Sequence, residues 1–400
     1  MDNAMRPRHD KPTDTMRSLL MPLLLAAAAA HAAGKPAVAA DPAVRSLTYT
    51  GKDAGQNGGA EPGAIKMPFV RLADESIARR INDELFISRM GVLAPKNPGA
   101  TFTAADKRTI SGTSSIDFTV ARHDARVLTL TFEREGCGAY CEEAADAFTF
   151  DLRTGRAVGP DDLLTPAGQR ALDRQMDAAR KAAYRKQIAS FGGAPKKPAK
   201  GAKKTSDDDG EQDADDRVEL ATTCLAQVSS EAPQRQAPLE GTRIEIDVDA
   251  LVLTHERCSN HAMRALDDVD EVSLKVPYAT LAPQLTPFGR ALLLGDGDAP
   301  QADVVHGRML YGTLGGKTPI AMRLRVDSDG SIGGAYYYEK FGTPIELGGT
   351  RRGQHLELVE HVSDKNDDTH DGARLSLDAT GARLKGRWIG DKQFDIELAP

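Results

Sequence analysis

Apolar residues first recur at helical spacing: in "LADESIARRINDELFISRM", Ile77, Ile81 and Leu85 fall four apart, predicting an amphipathic helix with Asp74 as its N-cap. The period then shortens to two. "IDFTVAR" sets Phe118 and Val120 on one face, "RVLTLTFER" aligns Leu128, Leu130 and Phe132, and "AFTFDLRTGR" alternates Phe148, Phe150 and Leu152 before a turn at Thr154-Gly155. A second helix is predicted with Pro166 near its start and Leu172, Met176 and Ala179 on one side. "RIEIDVDALVLTHE" then reads as a strand in which Ile244, Ile246 and Val248 alternate. Leu274 and Val276 mark another, with a short helix after Pro277.

From Gly307 onward the pattern is strand and turn alone. Eight short strands are predicted at 309–313, 320–326, 331–339, 344–348, 355–361, 374–377, 383–389 and 394–398. A weak echo between "IGGAYYYEKFGTPIEL" and "LKGRWIGDKQFDIEL" suits a meander, closed as a small barrel or stacked as a sandwich. The expected fold class is thus an α+β domain over 66–292, an antiparallel sheet with packed helices, followed by an all-β domain over 304–400. Residues 293–303 read as the linker between them. Residues 33–65, rich in Ala, Gly and Pro, read as a flexible lead-in. Residues 192–217 put five lysines beside seven acids with no large apolar residue, so they read as a disordered insertion.

The N-terminus changes the picture of where this chain works. Arg17, an apolar run from Leu19 to Ala30 and the small-residue pattern Ala30-His31-Ala32 read as a signal peptide over 1–32. Residues 1–15 are polar and fit a signal poorly, which makes Met16 a candidate start. That apolar run is short of a membrane span, and no later stretch is long enough, so no transmembrane anchor is expected after cleavage. A periplasmic or secreted protein follows. Its four cysteines, Cys137, Cys141, Cys224 and Cys258, are then expected to pair, with nearest neighbours preferred: Gly136 and Gly138 let the chain turn between the first two. Net charge is −7, and −8 without residues 1–32, which hold four basic and three acidic side chains. Such a chain has no global field for nucleic acid.

Three ordered stretches carry a family resemblance: "ADESIARRINDELF", "VLTLTFEREGCGAYCEEAADAFTFDLRTGRAVGPDDLL" and "DVDEVSLKVPYATLAPQLTPFGRALL". Residues 66–292 resemble the extracellular domain shared by RsiV-type anti-sigma factors and PdaC-type peptidoglycan deacetylases. The resemblance implies an α+β cell-envelope domain and a protein-binding surface, since RsiV binds lysozyme with this region. The chain lacks the deacetylase's metal-binding "TFDDG"-like motif; "TFDLRTG" at 149–155 is not that. Where the family has a glycine-rich turn bearing histidine, this chain has "GCGAYCE".

No nucleophile elbow, phosphate loop or dinucleotide fingerprint is present, and no enzymatic activity, metal or cofactor is expected. "HERCSNH" spaces His255, Cys258 and His261 for zinc, with Cys224 as a further ligand, but an oxidising compartment favours the Cys224–Cys258 bridge. Asp364, Asn366 and Asp368 have calcium-loop spacing without its glycine and glutamate. The tyrosine run remains. Tyr336 and Tyr338 share a strand face with Ile332, Tyr337 points the other way, and Trp388 shares a face with Leu384. Tyr336, Tyr338 and Trp388 therefore point into the β-domain, either filling it or lining a ligand mouth. The expected role is a non-enzymatic envelope protein that binds a lysozyme-like protein or a glycan. A hydrolase or a structural module is the alternative.

Overall fold

Asp74 starts the first helix as its spacing predicts. Its carboxylate accepts the N–H groups of Ser76 and Ile77, and α1 runs Glu75–Met90 to Gly91, whose φ of 69° ends it in the left-handed region. The computed structural model describes residues 43–51, 61, 63–192, 208–300, 303–327, 329–363 and 369–400. The signal-peptide reading and the calcium-like loop fall outside these residues. All the described residues belong to one contact unit, Ala39–Pro400.

The lead-in is not wholly irregular. β1 (Val44–Tyr49) pairs antiparallel with β2 (Lys66–Val70) and parallel with β3 (Thr101–Phe102). Its buried Val44, Leu47 and Tyr49 gain their partners from distant segments, so the local Ala/Gly/Pro composition hides the strand. After a one-turn α2 (Lys107–Ile110), a four-stranded sheet follows in chain order: β4 (Thr113–His123), β5 (Val127–Cys137), β6 (Cys141–Asp151) and β7 (Arg156–Ala157). Ile81, Leu85, Phe86 and Met90 of α1 share one core with Leu128, Leu130, Phe132 and Phe150 of this sheet.

A short α3 (Pro160–Leu163) leads to α4 (Pro166–Ser190), capped by the Thr165 hydroxyl, and then to α5 (Asp208–Glu231). Part of the expected insertion is therefore helix. Residues 193–207 lie outside the described residues, whereas 208–217 form the first turns of α5. Acids suit a helix N-terminus, and the helix is held further on where Leu220, Cys224 and Val228 bury against Tyr184 of α4. "RIEIDVDALVLTHE" is a hairpin rather than one strand: β8 (Thr242–Ile246) and β9 (Ala250–His255) flank a turn, with β10 (Val272–Pro277) on the far side of β9. The Asp247 carboxylate accepts the N–H of Val248, which is 72% exposed at the turn, and Lys275 pairs with both Asp247 and Asp249.

The last eight strands are β11 (Met309–Leu314), β12 (Thr318–Val326), β13 (Ser331–Tyr338), β14 (Pro344–Arg352), β15 (His355–Ser363), β16 (Thr369–Thr380), β17 (Arg383–Ile389) and β18 (Gln393–Ala399). Each pairs with the next, and β18 returns to β11, so of the two expected forms this is the closed barrel. Leu310, Met322, Leu356, Leu375 and Leu384 are fully buried inside. At Gly312 and Gly386 a Cβ would lie 1.8 and 1.9 Å from a carbonyl oxygen of the adjacent strand, so glycine permits the close coiling that closure needs. Val304 and Val305, just ahead of β11, belong to the barrel core.

The segment read as a linker does not hold the two parts away from each other. α1 turns its second face to the outer wall of the barrel, where Ile87 and Leu93 pack with Met309, Ala321 and Tyr337. Around them, the Tyr311 hydroxyl donates to Asp83 at 2.8 Å, Arg323 pairs with Glu84 at 2.6 Å, and Arg79 pairs with Glu339 at 2.7 Å. Burial pushes the Asp83 carboxyl above its ordinary range, against the pull of Tyr311 and Arg79. On the other flank Ala157 donates its N–H to Gly307, and His306 meets Asp162 at 3.0 Å.

That last pair makes the junction sensitive to pH. The hydrogen bond to Asp162 raises His306 above 6.5. Burial pushes Asp162 up, but His306 and Arg156 outweigh it and hold the carboxyl below 3.8. The histidine's contribution is therefore complete below about pH 6.5 and is lost as pH rises through its higher folded value. Melting temperatures of wild type and His306→Gln are expected to differ most near pH 6 and to converge by about pH 9. A constant difference across that range would contradict the pairing.

Candidate functional site

Alternation along β13 sends its three consecutive rings to three places. Tyr336 points into the barrel and is 2% exposed; Tyr337 faces out and is buried against α1; Tyr338 returns to the inner face at the rim. The Tyr336 and Tyr338 rings meet edge to face, 5.5 Å apart. Trp388 reaches the same end of the barrel from β17.

What joins these rings is a residue that the sequence reading passed over. Glu360 on β15 is 7% exposed, and its Oε1 accepts the Tyr336 hydroxyl and the Trp388 indole N–H, each at 2.6 Å. Its Oε2 accepts the backbone N–H of Ala373 at 3.1 Å. The β15–β16 register shifts at this point, between Val359 and His361. The bulge frees the Ala373 N–H from the ladder and turns it to the carboxylate. Glu360 has no ion-pair partner among the described residues, so three donors alone satisfy it. Burial, followed by this hydrogen bond, drives the Tyr336 phenol far above its usual range. A signal was present in "HLELVE": Leu356, Leu358 and Glu360 are two apart, so the acid shares the inward face.

The rim above this floor is apolar among the described residues. Among the described residues seven large apolar side chains are exposed, and four of them, Phe341, Val362, Ile389 and Phe394, border this end of the barrel. Phe341 is 66% exposed and 6.4 Å from the Tyr338 ring; Phe394 lies 5.7 Å from Trp388. A Cβ at Gly390 would fall 2.6 Å from the indole, so glycine there lets Trp388 pack close against its own turn. The result is a set of aromatic rings around a buried carboxylate, with the leucine-filled interior below.

The other flagged residues do not assemble a reaction centre. Both bridges pair nearest neighbours: Cys137–Cys141 closes the β5–β6 hairpin, and Cys224–Cys258 ties α5 to the segment after β9. His255 turns to the Glu256 carbonyl, and burial lowers its pKa; His261 instead stacks on Tyr140, 5.3 Å away. On the outer wall, Ser376, His355 and Asp378 imitate a nucleophile triad. However, Glu357 Oε1 sits 2.5 Å from His355 Nε2 and takes the Ser376 hydroxyl at 2.8 Å, leaving Ser376 3.4 Å from the imidazole. Glu357 fills the place that a general base must keep for its nucleophile.

No family model and no curated protein matches the chain. Six solved chains are similar, among them the following two. One is a DUF3298-family protein of Bacteroides fragilis, 13% identical, matched over 56% of this chain and 83% of its own, with a TM-score of 0.32. The other is a DUF3298-family protein of Pseudomonas aeruginosa, 15% identical over 56% of this chain and 85% of its own, with a TM-score of 0.30. DUF3298 is a domain related to the RsiV and PdaC type.

Glu360→Ala leaves the Tyr336 hydroxyl, the indole N–H and the Ala373 N–H without their acceptor. The expected cost is about 2–5 kcal/mol, read from the urea midpoint, with a shift in the emission of the sole tryptophan. Glu360→Gln, which keeps an acceptor, should lose less than half of that. An unchanged midpoint in Glu360→Ala would remove the carboxylate from its central place.

Proposed function

We propose that the protein is a non-enzymatic, exported binding protein of the cell envelope, and that the barrel mouth docks a glycan strand of the peptidoglycan type. One observation carries this reading: exposed and half-buried rings surround a buried carboxylate at one end of the barrel. Sugar rings present C–H faces that stack on aromatic side chains, and hydroxyl and amide groups that donate to a fixed acceptor. A carboxylate has about four acceptor positions, and Glu360 uses three, which leaves one unfilled. The envelope-hydrolase alternative needs two carboxylates converging on one bond; among the described residues the mouth buries one. Two disulfides and the signal-like N-terminus support export. Among the described residues no helix is long and apolar enough to cross a membrane.

A lysozyme-like protein is the second reading, favoured by the net charge of −7, which attracts cationic partners at long range, and by the RsiV resemblance.

Trp388 is the only tryptophan, so its emission reports directly on the mouth. Soluble peptidoglycan fragments are expected to change it saturably. Phe341→Ala and Phe394→Ala should weaken that binding roughly tenfold while leaving stability within about 0.5 kcal/mol. No saturable change up to millimolar fragment rejects the glycan reading. Capture of hen lysozyme by the wild type, lost in Phe341→Ala, would instead place a protein at the mouth.

A further inference from the structure

At the ends of β12 and β13 remote from Tyr338, the barrel wall faces α3 and the segment before β11 across a cleft of about 600 Å3. The cations along it are committed, with one exception. Arg323 holds Glu84, Arg325 holds Asp327, and His306 holds Asp162, which Arg156 also engages from behind. Arg308 is different. It lines the same cleft half-buried, makes no hydrogen bond or ion pair with the described residues, and buries its Nε without a partner. Burial, and after it the like charges of Arg156 and Arg80, press its pKa down, against the weaker pull of Asp151 and Asp303.

A half-buried guanidinium with no direct acceptor, beside two other cations, is stabilised when a further counter-charge binds it. The opening lets one arrive. We infer that Arg308 anchors a binding site for a carboxylate group of a small ligand that enters the cleft from solvent. The guanidinium fork fits a carboxylate with two parallel N–H donors. A singly charged carboxylate is favoured over phosphate because Asp161 and Asp162 line the same opening, and their field opposes a second negative charge. The site is independent of the mouth, at the opposite end of the strands, so either assignment can fail without the other.

Thermal unfolding of the full chain, in sodium acetate against sodium chloride at equal ionic strength, tests the site. Acetate is expected to raise the wild-type midpoint saturably, by roughly 2 °C or more. In Arg308→Met the ligand-free midpoint should equal or exceed that of wild type, because an unpaired charge is gone, and the acetate increment should vanish. Arg308→Lys, with charge but no fork, should need at least tenfold more acetate. Two results overturn the proposal: an acetate increment that survives in Arg308→Met, or no increment in wild type with a lowered ligand-free midpoint in Arg308→Met. Stabilisation by inorganic phosphate but not by acetate overturns the carboxylate assignment.

Discussion

A helix between two neighbours keeps little surface for water, and in α1 every residue from Ile81 to Phe86 is buried. Its apolar stripe covers the β4–β7 sheet, while Asp83 and Glu84, which would face solvent in a free-standing domain, are buried against the barrel. Burying two carboxylates is costly unless each finds a donor. Tyr311 and Arg323 supply those donors from β11 and β12. Without them the charges on α1 would resist the barrel, and with them the contact is specific in position as well as favourable.

The same contact reaches the mouth. Glu339 follows Tyr338 directly and is held by both Arg79 and Lys96, and the Leu93 N–H donates to the Gly342 carbonyl. The turn that displays Phe341 is therefore fixed from the α+β side rather than left as a free loop. Binding groups positioned in advance spend less entropy when a ligand arrives. Tyr337, buried between α1 and the barrel, ties the two ends of this arrangement to one strand.

Much of the fold was legible because its signals are local. Alternation marked all eight barrel strands, Asp74 marked the start of α1, and the inward phase of Tyr336, Tyr338 and Trp388 followed from residues two apart. What escaped depends on partners distant in sequence. β1 is a strand because β2 and β3 flank it. Glu360 is a floor because a bulge in β16 turns a backbone N–H toward it. Nothing near Asp83 and Glu84 announces a barrel some 230 residues later; the Tyr311–Asp83 bond spans 228 positions. The hairpin at Asp247–Asp249 was masked by a continuous apolar alternation across its turn.

Differential scanning calorimetry of wild type and Tyr311→Phe tests this dependence on one contact most directly. The account requires a single wild-type transition that includes both the α+β region and the barrel. In the variant, which loses only the hydroxyl on Asp83, that whole transition should move down by an amount equivalent to about 1–3 kcal/mol. Two separate wild-type transitions, or a variant in which the barrel melts unchanged, would contradict it.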